Sequence, residues 1–238
     1  GMPEAVSTFL SDNDFRNTIR VQSSILDGYR NDIAKYALSE KHLAKRVFDS
    51  IPEQLCKKDK RFILAELEKG ASQRKFGDAT QWLADAGFAY YSFNSTSLEL
   101  PLSFSEKRNL YKLFLFDTGL LCNLSLKGMQ FQVLNGEIGI NKGALTENYV
   151  ASELSKKGIP LHYYDRKSKM ELDFIFQENS KLSIIEVKSG NDYKRHASLD
   201  TALETTPETI NRAMVFSKSN TAQEGQIIYY PLYMTIFL

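Results

Sequence analysis

Cysteine is scarce in this chain: only Cys56 and Cys122 occur, far apart and without a CxxC spacing. Their scarcity argues against a disulfide framework and a cysteine-type zinc site, and two reduced thiols are typical of an intracellular protein. The sequence also lacks any run of about 18 apolar residues, and its first residues lack the pattern of a secretory signal. We therefore expect a cytoplasmic protein without a membrane partner.

An excess of charge is also missing, because 30 basic side chains face 29 acidic ones. A balanced chain has no long-range field that attracts nucleic acid, so any such contact has to be local. The Gly-x-x-x-x-Gly-Lys-Ser/Thr loop that cradles nucleotide phosphates does not occur in the sequence. No ATP site is therefore expected in this chain.

Helical periodicity dominates the first hundred residues, with runs predicted near 31–38, 40–56 and 60–69. A helix that Ser72 can cap and Gly87 ends follows. Strand-like segments come next at 88–93 and 111–116, separated by a polar patch. The order helix, helix, strand, loop, strand is typical of a winged helix. We predict a helical and winged-helix domain over residues 1–128.

A glycine-rich stretch at 122–143 indicates a domain junction. The segments beyond it predict an α/β domain with a central mixed sheet over residues 129–238. Its elements are a helix from Gly143, strands near 161–164, 171–177 and 182–188, a helix near 195–204, and strands near 212–217 and 226–237. The fold class expected for the whole chain is α+β with an α/β second domain.

Two acids and a lysine on neighbouring strands form the main candidate for chemistry. Alternation places Asp173 on one face of its strand, and Glu186 and Lys188 share one face of the next strand. Two carboxylates can bind Mg²⁺ or Mn²⁺, and an ammonium group beside them can position water or stabilise charge on a phosphate. Glu147 on the preceding helix can complete the metal shell. The alternative is a pair of solvated strands with a cross-strand salt bridge.

An acid on a helix, an acid on one strand and Glu-x-Lys on the next resembles the PD-(D/E)xK nuclease superfamily, with Leu172 in place of the usual proline. Further segments are similar to the C-terminal two thirds of the DUF4143-containing AAA-type ATPases: GMPEAV at 1–6, WLADAG at 82–87, KLFLFDTGLL at 112–121, GALTEN at 143–148, ELDF at 171–174 and IEVKSG at 185–190. The resemblance implies a winged-helix region followed by a nuclease-like domain.

Such ATPases carry a P-loop domain first, so the resemblance implies a fragment that lacks this domain, with Gly1 either native or a tag remnant. It also implies metal-dependent hydrolysis of DNA, with Asp173 and Glu186 as metal ligands, Glu147 as a third ligand and Lys188 as a catalytic residue. The alternative is a non-catalytic DNA- or protein-binding regulatory module of an ATPase. A third possibility is a module for folding or oligomerisation only.

Several polar side chains are candidates for contacts with DNA. On the predicted recognition helix they are Gln73, Arg74 and Lys75, although two aspartates on that helix favour a packing role instead. Near the acids they are Arg166, Lys167, Lys169 and Lys194, for which a solvated turn is the alternative. Lys194, Arg195, His196 or Ser198 could orient phosphate or water, although His196 taken alone is expected to be a surface histidine. Glu171 is expected to be a neighbouring charge and not a metal ligand.

Overall fold

The structure is a computed structural model that describes residues 1–37, 41–135, 142–166 and 169–238. Two compact units are present, one formed by residues 1–90 and 113–141 and the other by residues 91–112 and 142–238. Residues 91–112, which the sequence places in the first predicted domain, therefore cluster with the second unit. The boundary predicted near residue 128 remains a prediction of domain organisation.

The first unit is helical. Its core consists of apolar side chains without solvent exposure, including Phe48 and Phe76. Side chains cap two helices: Asp14 accepts a hydrogen bond from Arg16 N at 2.8 Å, and Asp117 accepts one from Leu120 N at 2.8 Å. The helices described in this unit are α1 (Pro3–Asp12), α2 (Phe15–Tyr36), α3 (Lys41–Leu55), α4 (Gln73–Asp85), α5 (Thr118–Leu126) and α6 (Gln130–Leu134).

The helix predicted at 60–69 is wrong, because only a short 3-10 turn at Leu64–Glu66 forms there. Side-chain oxygens accept hydrogen bonds from backbone N–H groups that would otherwise bond within a helix. Arg61 N donates to Asp59 and Ile63 N donates to Gln54. Local bonds of this kind offer the backbone an alternative to the helical ladder.

The described strands form an eight-stranded mixed sheet in the order β2-β1-β3-β4-β5-β6-β8-β7. Strands β3/β4, β4/β5 and β7/β8 pair antiparallel, whereas β1/β3, β5/β6 and β6/β8 pair parallel. The strands are β1 (Ala89–Ser95), β2 (Glu106–Leu115), β3 (Leu161–Asp165), β4 (Glu171–Glu178), β5 (Lys181–Val187), β6 (Ile210–Ser217), β7 (Ala222–Glu224) and β8 (Ile227–Pro231). Helices together with a mixed sheet confirm the predicted α+β class.

The last predicted strand, at 226–237, is too long. Strand β8 ends at Pro231, and a 3-10 helix follows at Leu232–Phe237. Proline lacks a backbone N–H and restricts the chain to a narrow range of φ, so it commonly ends a strand in a sheet interior.

Two helices belong to the second unit, α7 (Lys142–Lys156) and α8 (Ala197–Thr205). Leu199 and Ala202 of α8 belong to one buried cluster with alternate residues of the central strands, such as Ile184 and Val215. Because β5, β6 and β8 run parallel, their carboxyl ends meet at one edge of the sheet. Among the helices that the structure describes, none has the length and apolar character that crossing a bilayer requires.

Candidate functional site

The β4–β5 hairpin brings the two strand acids together. Phe174 is paired with Ile185, so alternation sets Asp173 opposite Glu186 on the same face. Asp173 Oδ2 accepts a hydrogen bond from Val187 N at 2.8 Å. Lys188 Nζ lies 3.2 Å from Glu186 Oε2. The three residues predicted to be catalytic therefore meet, while their roles remain predictions.

Glu186 is an acid with a strongly perturbed pKa. Its side chain is buried, with the residue only 4% exposed. Burial raises the pKa of the Glu186 carboxyl well above its usual range, and the negative charge of Asp173 raises it further. Lys188 acts in the opposite direction but does not cancel these effects. The pair of acids therefore favours holding a proton, or another cation, between its members.

Lys188 is held in its charged form. Partial burial by itself lowers the pKa of an ammonium group, but the charges of Glu186, Asp173 and Glu147 outweigh burial and raise the pKa of Lys188. A lysine in this state donates hydrogen bonds and stabilises negative charge. It is not free to take a proton from water.

A second lysine, which the sequence did not single out, lies in the same cluster. Lys112 of β2 is 1% exposed, and its Nζ is 2.9 Å from Glu171 Oε1 and 3.9 Å from Glu147 Oε2. The ammonium group also lies over the ring of Tyr163, 4.8 Å from its centroid. Burial opposes the charged form of Lys112, but the neighbouring acids outweigh it and raise the pKa. A lysine inside the otherwise apolar run at 111–116 was the signal available in the sequence.

Glu147 and Glu171 lie on either side of the pair of acids. Together with Asp173, Glu186, Lys112 and Lys188 they are called the acid cluster below. Glu147 is buried on α7, and Glu171 is half-exposed at the start of β4. Both are ion-paired with Lys112. Within residues 1–37, 41–135, 142–166 and 169–238, no three or more His, Cys, Asp or Glu side chains are grouped so that they could hold a metal ion. The roles of Glu147, Asp173 and Glu186 as metal ligands stay predictions.

The pair Asp173 and Glu186 nevertheless fits a divalent cation by the chemistry of its donors. Both provide carboxylate oxygens, and Mg²⁺ is usually bound by one or two carboxylates while it keeps several waters. Their mutual repulsion, which contributes to the raised pKa of Glu186, is the interaction that a bound cation relieves.

The candidate DNA contacts on α4 lie in the first unit. Gln73, Arg74 and Lys75 occupy the first turn of α4, and all three are exposed. Lys75 is ion-paired with Glu68, which precedes the helix. Because the three side chains are exposed, they could reach a phosphate, but Lys75 would first have to break its ion pair with Glu68.

The other basic candidates lie in the second unit. Arg166 and Lys169 are exposed between β3 and β4, whereas Lys167 lies outside the described residues. Lys194 is exposed and ion-paired with Glu224. In the part of the chain that the structure describes, Arg166, Lys169 and Lys194 are not hydrogen-bonded or ion-paired through their side chains with Glu147, Glu171, Asp173 or Glu186.

His196 is buried, so the expectation of a surface histidine is wrong. Its Nδ1 lies 2.9 Å from Asp200 Oδ1, and its Nε2 lies 2.7 Å from the Tyr229 hydroxyl. Both ring nitrogens are therefore engaged by protein groups, which favours a structural role. Ser198 also has a local partner, because its hydroxyl oxygen accepts a hydrogen bond from Glu171 N at 3.2 Å.

An open cavity of about 510 Å³ lies at the edge where β6 and β8 end. Lys188 N donates to Phe216 O at 2.8 Å, so this edge continues directly from the acid cluster. No part of this cavity was predicted from the sequence. Its lining consists of Tyr149, Ser217, Lys218, Ser219, Asn220, Pro231, Leu232 and Tyr233.

Comparison with known families divides the chain in two. Residues 1–130 match DUF8612, described as a domain of unknown function. The chain belongs to the DUF8612 family. Residues 142–235 of this DUF8612 protein match DUF4143, a second domain of unknown function, which confirms that part of the resemblance seen in the sequence. No curated protein and no solved structure matches the chain.

Proposed function

We propose that the second unit is a PD-(D/E)xK nuclease-like domain that binds Mg²⁺ or Mn²⁺ and hydrolyses phosphodiesters of DNA. The observation that carries the proposal is the meeting of Asp173, Glu186 and Lys188 on the β4–β5 hairpin. A buried acid beside a second acid and a charged lysine is costly for stability, and such groups concentrate at functional sites.

Each residue of the cluster has a distinct proposed role. Asp173 and Glu186 would hold the cation, with Glu147 as a further ligand. The metal would polarise the phosphate and lower the pKa of a bound water. Lys188 would donate hydrogen bonds to the phosphate and stabilise the negative charge that develops there, because its neighbours keep it protonated.

The remaining parts of the chain fit this function in outline. The mixed sheet presents the hairpin, and the cavity with Lys218 offers a place for a neighbouring part of the DNA strand at the same edge. Helix α4 with the strands after it would form a winged helix that uses Gln73, Arg74 and Lys75 on DNA. By the resemblance of its sequence segments, the chain would lie at the C-terminal end of an AAA-type ATPase.

A second candidate function is a non-catalytic DNA- or protein-binding regulatory module of such an ATPase. One observation favours it: in the described ranges no three acids are placed together to hold a metal, and Glu147 is paired with Lys112. A nuclease fold that keeps its acids while serving as a binding platform would look similar, because fold alone does not determine function.

Calorimetric titration with Mg²⁺ and Mn²⁺ separates the two candidates. Wild type and the exposed control Asp192→Ala are expected to bind the cation, whereas Asp173→Ala is expected to lose binding at least tenfold. Wild type and Asp192→Ala should also cleave plasmid and single-stranded DNA in the presence of these metals, and Asp173→Ala should not. Absence of both binding and cleavage in wild type would exclude the enzyme.

Gel shifts at low salt then distinguish the remaining possibilities, because electrostatic binding of DNA is strongest there. A regulatory DNA-binding module shifts DNA in EDTA, and Asp173→Ala shifts it equally well. A module for folding or oligomerisation only shifts no DNA under any of these conditions.

A further inference from the structure

Lys112 is a cation built into the acid cluster. It is 1% exposed, and its Nζ lies 2.9 Å from Glu171 Oε1, 3.9 Å from Glu147 Oε2 and 4.8 Å from the centre of the Tyr163 ring. A buried ammonium group is tolerated only where acids and polar partners replace its hydration. These partners come from two strands, β3 and β4, and from helix α7, so the position of the ammonium is fixed by the tertiary structure.

The net charge of the acid cluster matches one divalent cation. Glu147, Glu171, Asp173 and Glu186 supply four carboxylates, and Lys112 and Lys188 supply two ammonium groups. Counted by formal charge, four carboxylates and two ammonium groups leave two negative charges, which one divalent ion would balance. A second divalent ion would leave an excess of positive charge inside a buried region, where Coulomb energies are large.

We propose that the Lys112 ammonium occupies the place between Glu147 and Glu171 that a second divalent ion would otherwise take, so that the cluster admits only one such ion. The one ion is the cation assigned to Asp173 and Glu186, so this part of the inference rests on the proposed function. An ammonium neutralises carboxylates but is not a Lewis acid, and the site would therefore operate with a single metal.

The experiment counts Mn²⁺ bound per chain, by equilibrium dialysis of the full chain followed by elemental analysis. Wild type is expected to bind one Mn²⁺ ion per chain. Lys112→Met is expected to bind two. Lys181→Met is the matched control, because Lys181 is an exposed lysine at the other end of the β4–β5 hairpin. It should match wild type.

The difference between Lys112→Met and wild type tests the inference, whereas the wild-type count tests the proposed function. A gain of one ion in Lys112→Met supports the inference, even where wild type binds none and the proposed metal site fails. Equal counts in the two proteins overturn it, as does a wild-type count of two.

If Lys112→Met does not fold, Glu171→Gln tests the inference instead. Glu171 is half-exposed, and glutamine has nearly the same shape as glutamate, so this variant is expected to fold. With Lys112 filling the position, Glu171→Gln binds as many Mn²⁺ ions as wild type. A lower count in Glu171→Gln would mean that a metal ion uses Glu171, and the inference would be wrong.

Discussion

Glu186 shows at the scale of single residues how burial and charge oppose each other in the cluster. Its carboxyl is 4% exposed and lies beside the carboxyl of Asp173, so both desolvation and repulsion disfavour its ionised form. Lys188, 3.2 Å away, offsets only part of this cost. Without a metal the folded protein therefore favours the protonated form of Glu186 more strongly than the unfolded chain does.

Glu186→Gln is expected to stabilise the metal-free protein at neutral pH. Because the folded pKa of Glu186 lies above the unfolded value, wild-type stability falls as the pH rises from about 4.5 through the folded pKa. Glutamine cannot ionise and avoids this loss. Thermal unfolding in EDTA at pH 7.5 should show a rise of roughly 2–4 °C, equivalent to about 1 kcal/mol for a chain of this length.

The difference should disappear below pH 4, where both proteins are uncharged at this position. Glu204→Gln is the control for removing an acid, since Glu204 is exposed on α8. It should leave the melting temperature unchanged at both pH values. A melting temperature of Glu186→Gln equal to or below that of wild type at pH 7.5 would contradict the assignment of a destabilising charge.

At the scale of elements, α8 is connected to the sheet through the residue that precedes it. His196 precedes the helix and connects Asp200, one turn later, with the hydroxyl of Tyr229 on β8. The apolar face of α8 covers the strands with Leu199 and Ala202. A buried polar residue therefore joins the start of the helix to β8, while apolar side chains pack the helix against the sheet.

His196→Leu is expected to lower the free energy of unfolding by about 1–3 kcal/mol, because it leaves the buried Tyr229 hydroxyl without this partner. Urea unfolding measures the loss. Thr201→Ala is the matched control on α8, since the Thr201 hydroxyl is exposed and donates only to Ala197 O in its own helix. Equal stability of the two variants would show that the bridge contributes nothing.

The edge formed by the ends of β6 and β8 carries the cavity beside Lys218. Lys218→Glu is expected to weaken binding of single-stranded DNA at least threefold at 50 mM salt, because repulsion would replace the proposed phosphate contact. Fluorescence anisotropy with a labelled oligonucleotide measures this change. Lys181→Glu, at the opposite end of β5, carries the same change of charge. Equal weakening by both would indicate a non-specific effect of net charge.

At the scale of the whole molecule, the two units are interleaved along the chain. Residues 91–112 belong to the second unit, although they precede residues 113–141 of the first. They contribute Lys112 and the segment of β1 that pairs with β3. The second unit is therefore not a continuous C-terminal piece.

A protein of residues 129–238 alone is expected to lack a cooperative unfolding transition. It would lose the β1 partner of β3, and Glu147 and Glu171 would lose the ammonium of Lys112. Removing one member of a buried ion pair costs about 3–5 kcal/mol, a large part of the stability of a domain. Circular dichroism on heating tests this expectation against the full chain, and a sharp transition near the full-chain midpoint would contradict it.

Local sequence patterns were sufficient for most elements of the second unit. Alternation and turn residues located β3, β4 and β5 to within a few residues, since these strands combine apolar runs with polar connections. The same patterns failed at 60–69, where side chains capture backbone amides, and at 226–237, where Pro231 ends the strand. Both wrong predictions result from individual residues and contacts that the spacing of apolar residues does not reveal.

The sequence by itself determined which residues share the face of the β4–β5 hairpin, because alternation follows from the covalent geometry of an extended chain. It therefore placed Asp173, Glu186 and Lys188 together. Only the tertiary structure decided that Lys112 neutralises Glu147 and Glu171 and that His196 is buried. These contacts join residues far apart in sequence, and burial, which gives a charge its energetic weight, is a property of the assembled sheet and helices.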